Sequence, residues 1–253
     1  MKWIKHSLII LALISLSACQ KEMKTDETNK ETTTSQQSVK PKKSQENEKS
    51  VTTTQTPKIK ESKDSKESSD KATYKGDYYS VQGKYDEIII VNKQHPLSST
   101  YNPGEDPTAK AALLQIIADM QALGYDVSNN YSGFRSYETQ DSLYHSYVER
   151  DSKENADRYS ARPGYSEHQT GLAYDLIDNS GQLLEEPNAS AWLKEHAPEY
   201  GFIVRYLQGK EHITGYQAES WHLRYIGKEA QDIADSGLTL EEYFGIAGGD
   251  YPD

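Results

Sequence analysis

Two short stretches hold the residues whose types and spacing could do chemistry. Ser166-Glu167-His168-Gln169-Thr170-Gly171-Leu172-Ala173-Tyr174-Asp175 places a His and an Asp seven positions apart, and Glu219-Ser220-Trp221-His222 places a Glu and a His at i and i+3. Two imidazoles and one carboxylate are a common ligand set for a catalytic zinc, whose fourth position is left to water. The remaining Glu is what such a site needs as a general base. The chemistry implied is metal-assisted hydrolysis. Each piece alone is weak. A bare Glu-x-x-His arises often by chance, and Asp175, inside an apolar run, could equally face outward or pair with an arginine.

The elements that must position these residues are legible in outline. Asp86–Asn92 is a β-branched run that reads as a buried strand. Asp106-Pro107 is an N-cap with proline at the first helical position, and Leu113, Ile116, Ile117, Met120 and Leu123 recur at helical spacing until Gly124. Tyr131–Ser136 reads as a short strand running into a turn, with Ser136 capping the next helix. Glu149–Ser160 is charged and polar and reads as a mobile-looking segment. Leu172–Ile177 and Phe202–Tyr206 are expected strands, and His222–Ile226 another, with Glu219 and His222 at its entry. Asn188 or Ser190 is expected to cap a helix carrying Trp192 and Leu193, and Gly227–Ser236 to form a helix stopped by Gly237. Irregular alternation with hairpin-length turns predicts an α+β fold, a small antiparallel sheet with flanking helices, rather than repeated βαβ units.

The rest of the chain divides by composition. Residues 1–18 carry Lys2 and Lys5 ahead of an apolar run from Leu8 to Leu16, the layout of a signal peptide and too short for a comfortable membrane span. The run ends in Leu16-Ser17-Ala18-Cys19, which resembles a bacterial lipobox and implies lipidation at Cys19. Cys19 is the sole cysteine, so no intramolecular disulfide and no second thiolate are available. Residues 19–72 are Lys, Glu, Ser, Thr and Gln with almost no apolar side chain, and such a segment cannot offset its ordering entropy. A flexible coil of roughly 50 residues spans about 40 Å on average and about 170 Å stretched, as a tether would. The expected location is the outer face of the cytoplasmic membrane, with membrane contact through the lipid alone.

Residues 1–72 hold 14 basic and 10 acidic side chains of the 28 and 39 in the whole chain, leaving residues 73–253 with a net charge of −15. That balance argues against nucleic acid and against adsorption to anionic lipid. The length of 73–253 suits one domain.

Ser166-x-His168-x-x-Gly171-x-Ala173-x-Asp175 and Glu219-x-Trp221-His222 resemble the two signature motifs of the VanY-type D-alanyl-D-alanine carboxypeptidases. That group of zinc peptidases also includes lysostaphin-like enzymes and the hedgehog signalling domain. Ser132-Gly133-Phe134-Arg135-Ser136-x-x-x-Gln140-x-x-Leu143-Tyr144 resembles the group's third motif, in the same order, and the likeness runs from about Asp86 to Gly245. Arg158–Asp175 and Glu219–Tyr225 look most like the streptococcal L,D-carboxypeptidases. The resemblance implies the fold of these zinc peptidases, His168, Asp175 and His222 as zinc ligands, and Glu219 as catalytic base. It implies Arg135 as oxyanion stabiliser or substrate orienter, and Gln140 and Ser166 as contacts to the terminal D-alanine. Tyr206 is added because its strand is expected to flank the pocket.

The expected activity is removal of a C-terminal D-alanine from a peptidoglycan stem peptide. An L,D enzyme would act on tetrapeptides, and a D,D enzyme on pentapeptides. A non-catalytic, zinc-containing wall-binding module, a solute-binding lipoprotein and a cross-bridge endopeptidase are the rivals. The presence of Glu219 and Arg135 beside the three ligands argues against a module that has lost catalysis.

Overall fold

A computed structural model of the protein describes residues 70–252. The signal peptide, Cys19 and nearly all of the tether expected from the sequence lie outside the described residues. The strands are β1 (Thr73–Tyr74), β2 (Tyr79–Gln82), β3 (Glu87–Ile90), β4 (Tyr131–Ser132), β5 (Ala173–Leu176), β6 (Phe202–Tyr206) and β7 (Glu219–Tyr225). The helices are α1 (Pro107–Ala122), α2 (Tyr137–Asp151), α3 (Lys153–Tyr159), α4 (Pro187–His196), α5 (Glu211–Thr214), α6 (Ala230–Ser236) and α7 (Leu240–Phe244). β1–β3 form one antiparallel sheet, and the site sheet runs β4-β5-β7-β6, also antiparallel. The expected α+β architecture with small antiparallel sheets is what the chain adopts.

The site sheet separates its two faces by the period of two of an extended chain. Tyr174, Leu176 and Leu223 join Leu113, Ile116, Ile117 and Met120 of α1 and Leu193 of α4 in the main core. Each such side chain, once buried, contributes about 1.5–3 kcal/mol. Residues alternating with these, Asp175, His222 and Arg224, fall on the opposite face. A second core joins β2 and β3 to Ile203, Ile226, α6 and α7.

Several ends form for local reasons. Asp106 accepts from the backbone N–H groups of Thr108 and Ala109 at the start of α1, and Ser136 from Thr139 at the start of α2. Three expectations need correction. Glu149–Ser160 is helical: α2 runs to Asp151, Ser152 breaks it at φ 78° and its side chain caps α3. The stretch lacks an apolar stripe because Ala156 is the sole fully buried residue of α3. The α4 cap is Glu186, accepting from Asn188 and Ala189, since Pro187 takes the first helical position. β7 begins at Glu219, three residues before the expected start.

Candidate metal centre and active site

Cross-strand register assembles the centre. Ser132 on β4 stands opposite Asp175 on β5, and Asp175 stands opposite His222 on β7. Glu219 and His222, three apart, would point to opposite faces of a regular strand. The β6–β7 register slips between Val204 and Tyr206, so that Tyr206 pairs with Glu219 while Val204 pairs with Leu223. This bulge re-aims the strand and lets Glu219 approach His222, its Oε2 lying 3.6 Å from Nδ1. His168 comes from a one-turn 3₁₀ helix, Glu167–Thr170, which ends at Gly171 with φ 71°. A Cβ at Gly171 would run into the Gly104 carbonyl, so both conformation and space require glycine there.

His168, Asp175 and His222 present donor atoms that all lie within 4.8 Å of one another. Asp175 Oδ2 is 3.1 Å from His168 Nε2, and Asp175 Oδ1 is 3.1 Å from His222 Nδ1. These are ion-pair distances without hydrogen-bond alignment: the buried Oδ1 has no hydrogen-bond partner. The far nitrogens are engaged, His168 Nδ1 at 2.9 Å from the Gly133 carbonyl and His222 Nε2 at 3.2 Å from Glu167 Oε2. An orphaned buried carboxylate oxygen between two imidazoles anchored from behind fits a divalent cation, and this nitrogen–oxygen donor set suits zinc.

Electrostatics agree. Burial works to protonate Asp175, but the two imidazoles hold it well below the ordinary carboxylate range. The imidazoles themselves diverge. Burial keeps His168 below its ordinary 6.5 against the pull of Asp175. Burial also acts against a charged His222, yet the facing carboxylates of Asp175 and Glu167 drive it well above 6.5. Burial pushes the Glu219 carboxyl up to about 8, with His222 opposing and Asp175 and Glu167 adding.

The expected substrate contacts Arg135, Gln140, Ser166 and Tyr206 all line one cavity. Arg135 Nη2 lies 4.0 Å from Asp175 Oδ2 and donates to Ser132 Oγ at 2.9 Å, while Nη1 donates to Gln140 Oε1 at 2.9 Å. Gln140 is buried, and its amide also donates to the Ala161 carbonyl at 2.6 Å, so it braces Arg135. Ser166 and Tyr206 line the same cavity, of about 460 Å³, and Tyr206 packs its ring 4.9 Å from that of His222. Ser132, Tyr216 and Trp221 line it as well. The sequence reading passed over Glu167, whose one signal was an acidic residue directly before the motif histidine.

A buried His–Asp–His donor set with a carboxyl and a guanidinium beside it, in a cleft, defines a metallohydrolase. The VanY family model, D-alanyl-D-alanine carboxypeptidase, matches residues 104–228. The putative carboxypeptidase YodJ of Bacillus subtilis (strain 168) is 36% identical over 189 residues, covering 65% of this chain and 69% of that protein. Among solved structures, the LdcB LD-carboxypeptidase is 65% identical with a TM-score of 0.70, covering 72% of this chain and 97% of that one. A mutant of the vancomycin-resistance D,D-pentapeptidase VanY in complex with Zn(II) is 34% identical with a TM-score of 0.54, covering 61% of this chain and 97% of that one. The chain belongs to the VanY family of carboxypeptidases.

Proposed function

We propose that this chain is a zinc-dependent L,D-carboxypeptidase that removes the C-terminal D-alanine of peptidoglycan stem tetrapeptides. The observation that carries the reading is the 65% identity to an LD-carboxypeptidase over nearly all of that protein's length. The buried donor set and its two catalytic neighbours support the same reading. His168, Asp175 and His222 would hold the zinc. Bound there, zinc supplies a polarised scissile carbonyl and a water made acidic enough to attack near neutral pH. Glu219 takes the proton of the attacking water and delivers it to the leaving amine of D-alanine. Arg135 spends two of its five N–H groups on Gln140 and Ser132. The others remain for a substrate carboxylate or a developing oxyanion, to which a guanidinium binds by charge-assisted hydrogen bonds.

A D,D specificity, acting on pentapeptides, has its own support in the family description and in the likeness to VanY. Mass spectrometry of the purified, zinc-loaded protein with defined tetrapeptide and pentapeptide separates the two. Loss of one D-alanine from tetrapeptide, absent after chelation and absent in Glu219→Ala, is the expected result. Pentapeptide stopping at tetrapeptide would transfer the assignment to D,D. Cleavage of neither would leave a zinc-containing wall-binding module.

A further inference from the structure

We propose that Glu167 is a positioning residue that assigns His222 its metal-facing nitrogen. The inference rests on the zinc reading above, but not on which peptide is cut. The side chain of Glu167 has no solvent exposure. Its Oε1 accepts from Arg205 Nε at 2.8 Å and from Arg224 Nη1 at 3.0 Å. Both guanidiniums are buried and can only donate, so they hold the carboxylate in one orientation. Oε2 is then presented to His222 Nε2, 3.2 Å away.

An ionised carboxylate is acceptor-only, so Nε2 must carry the proton and donate it. Nδ1, beside Asp175 and Glu219, is left with its lone pair for a cation. Two guanidiniums on one buried oxygen favour the carboxylate form of Glu167. Arg205 is itself fixed by Glu241 through two bonds of 2.9 and 2.6 Å, and Glu241 accepts from Asn92 at 3.1 Å. Two acids and two arginines therefore make a charge-balanced buried cluster that ties the His168 turn to α7, β6 and β7. The second histidine lacks this device, since His168 Nδ1 faces a backbone carbonyl. The carboxylate raises the basicity of His222 as well as fixing its ring.

Glu167→Gln is a sharp test because the arginines dictate how the amide sits. They require its oxygen at the Oε1 position, which turns the NH₂ group toward His222 Nε2. That group donates, so the imidazole proton moves to Nδ1, the nitrogen the metal needs. Zinc affinity of the full chain, measured by competition with a chromogenic chelator, is expected to fall about 10- to 100-fold. Glu241→Gln removes a carboxylate from the same arginine without touching His222, and its zinc affinity is expected to stay near that of the wild type. Thermal melts of both variants establish that they fold. A folded Glu167→Gln that binds zinc as tightly as the wild type overturns the proposal, as does an equal loss in Glu241→Gln. Should Glu167→Gln not fold, nitrogen-15 NMR of the wild-type zinc-loaded protein decides: a proton on Nε2 of His222 and metal on Nδ1 supports the assignment, and the reverse refutes it. Neither readout depends on turnover, so failure of the peptidase reading and failure of this one are distinguishable.

Discussion

Glu219 lies beside His222 and Arg135 beside Asp175, and each can be removed without touching a ligand atom. Burial favours a neutral Glu219, whereas a cation bound beside it favours the carboxylate. Metal loading and readiness to accept a proton therefore go together. Glu219→Gln keeps the shape and cannot take up the proton. Its kcat is expected to fall by about 10²–10⁴ with zinc content by atomic absorption unchanged; an active Glu219→Gln would remove it as the base. Arg135→Lys keeps the charge but loses the planar fork that bonds Gln140 and Ser132 at once. Loss of such a donor costs about 10²–10³ in kcat, and stopped-time assays of tetrapeptide cleavage measure it. At this scale the donor set was legible in the sequence because its members sit in contiguous motifs. Glu167 was not, since an acidic side chain in a turn looks solvated. Its partners Arg205 and Arg224 lie 38 and 57 residues on, and only the fold brings them to it.

Strand alternation explains at the level of elements what the motifs could not. Period-two geometry places Asp175, His222 and Arg224 on one face, but it forbids a regular strand from aiming both Glu219 and His222 into one site. The bulge opposite Val204–Tyr206 resolves this, and no residue type in Glu219–Tyr225 announces it. The 3₁₀ turn depends on Gly171 for its left-handed conformation and for clearance of Gly104. Gly171→Ala is expected to destabilise the protein by more than about 2 kcal/mol, a fall of roughly 5 °C or more in Tm for a domain of this size. Zinc affinity should drop with it, because His168 rides on that turn.

The α2–α3 pair offers a pH-dependent counterpart, as Asp157 accepts from Arg162 at 3.0 and 2.7 Å and from Tyr144 at 2.7 Å. Burial alone would raise the Asp157 pKa, but the Arg162 and Tyr144 hydrogen bonds bring it below 3.8. A group depressed on folding stabilises above its unfolded value and loses that contribution as pH falls through the folded one. The stability gap between the wild type and Arg162→Ala in urea titrations is therefore expected to be constant above about pH 5 and to shrink below about pH 4. The last turn of α2 and all of α3 were missed in the sequence because a polar stretch packed through few side chains carries no apolar period.

For the whole molecule, the proposed arrangement is an acidic catalytic domain held near its substrate by a lipid on Cys19 and the 19–72 tether. The net charge of −15 on residues 73–253 opposes adsorption to an anionic bilayer, and no helix among the described residues is long and apolar enough to cross one. Retention would then depend on the acyl chains, each buried CH₂ contributing about 0.8 kcal/mol. Cys19→Ser leaves every residue of the metal centre in place, so the purified variant should cleave soluble tetrapeptide with the wild-type kcat/KM. In cells it should pass from the membrane fraction to the medium, with tetrapeptide accumulating in the wall as the local enzyme concentration drops. Fractionation by immunoblot and chromatography of wall digests read the two effects separately. A Cys19→Ser protein that stays membrane-bound would show that something other than the lipid holds it.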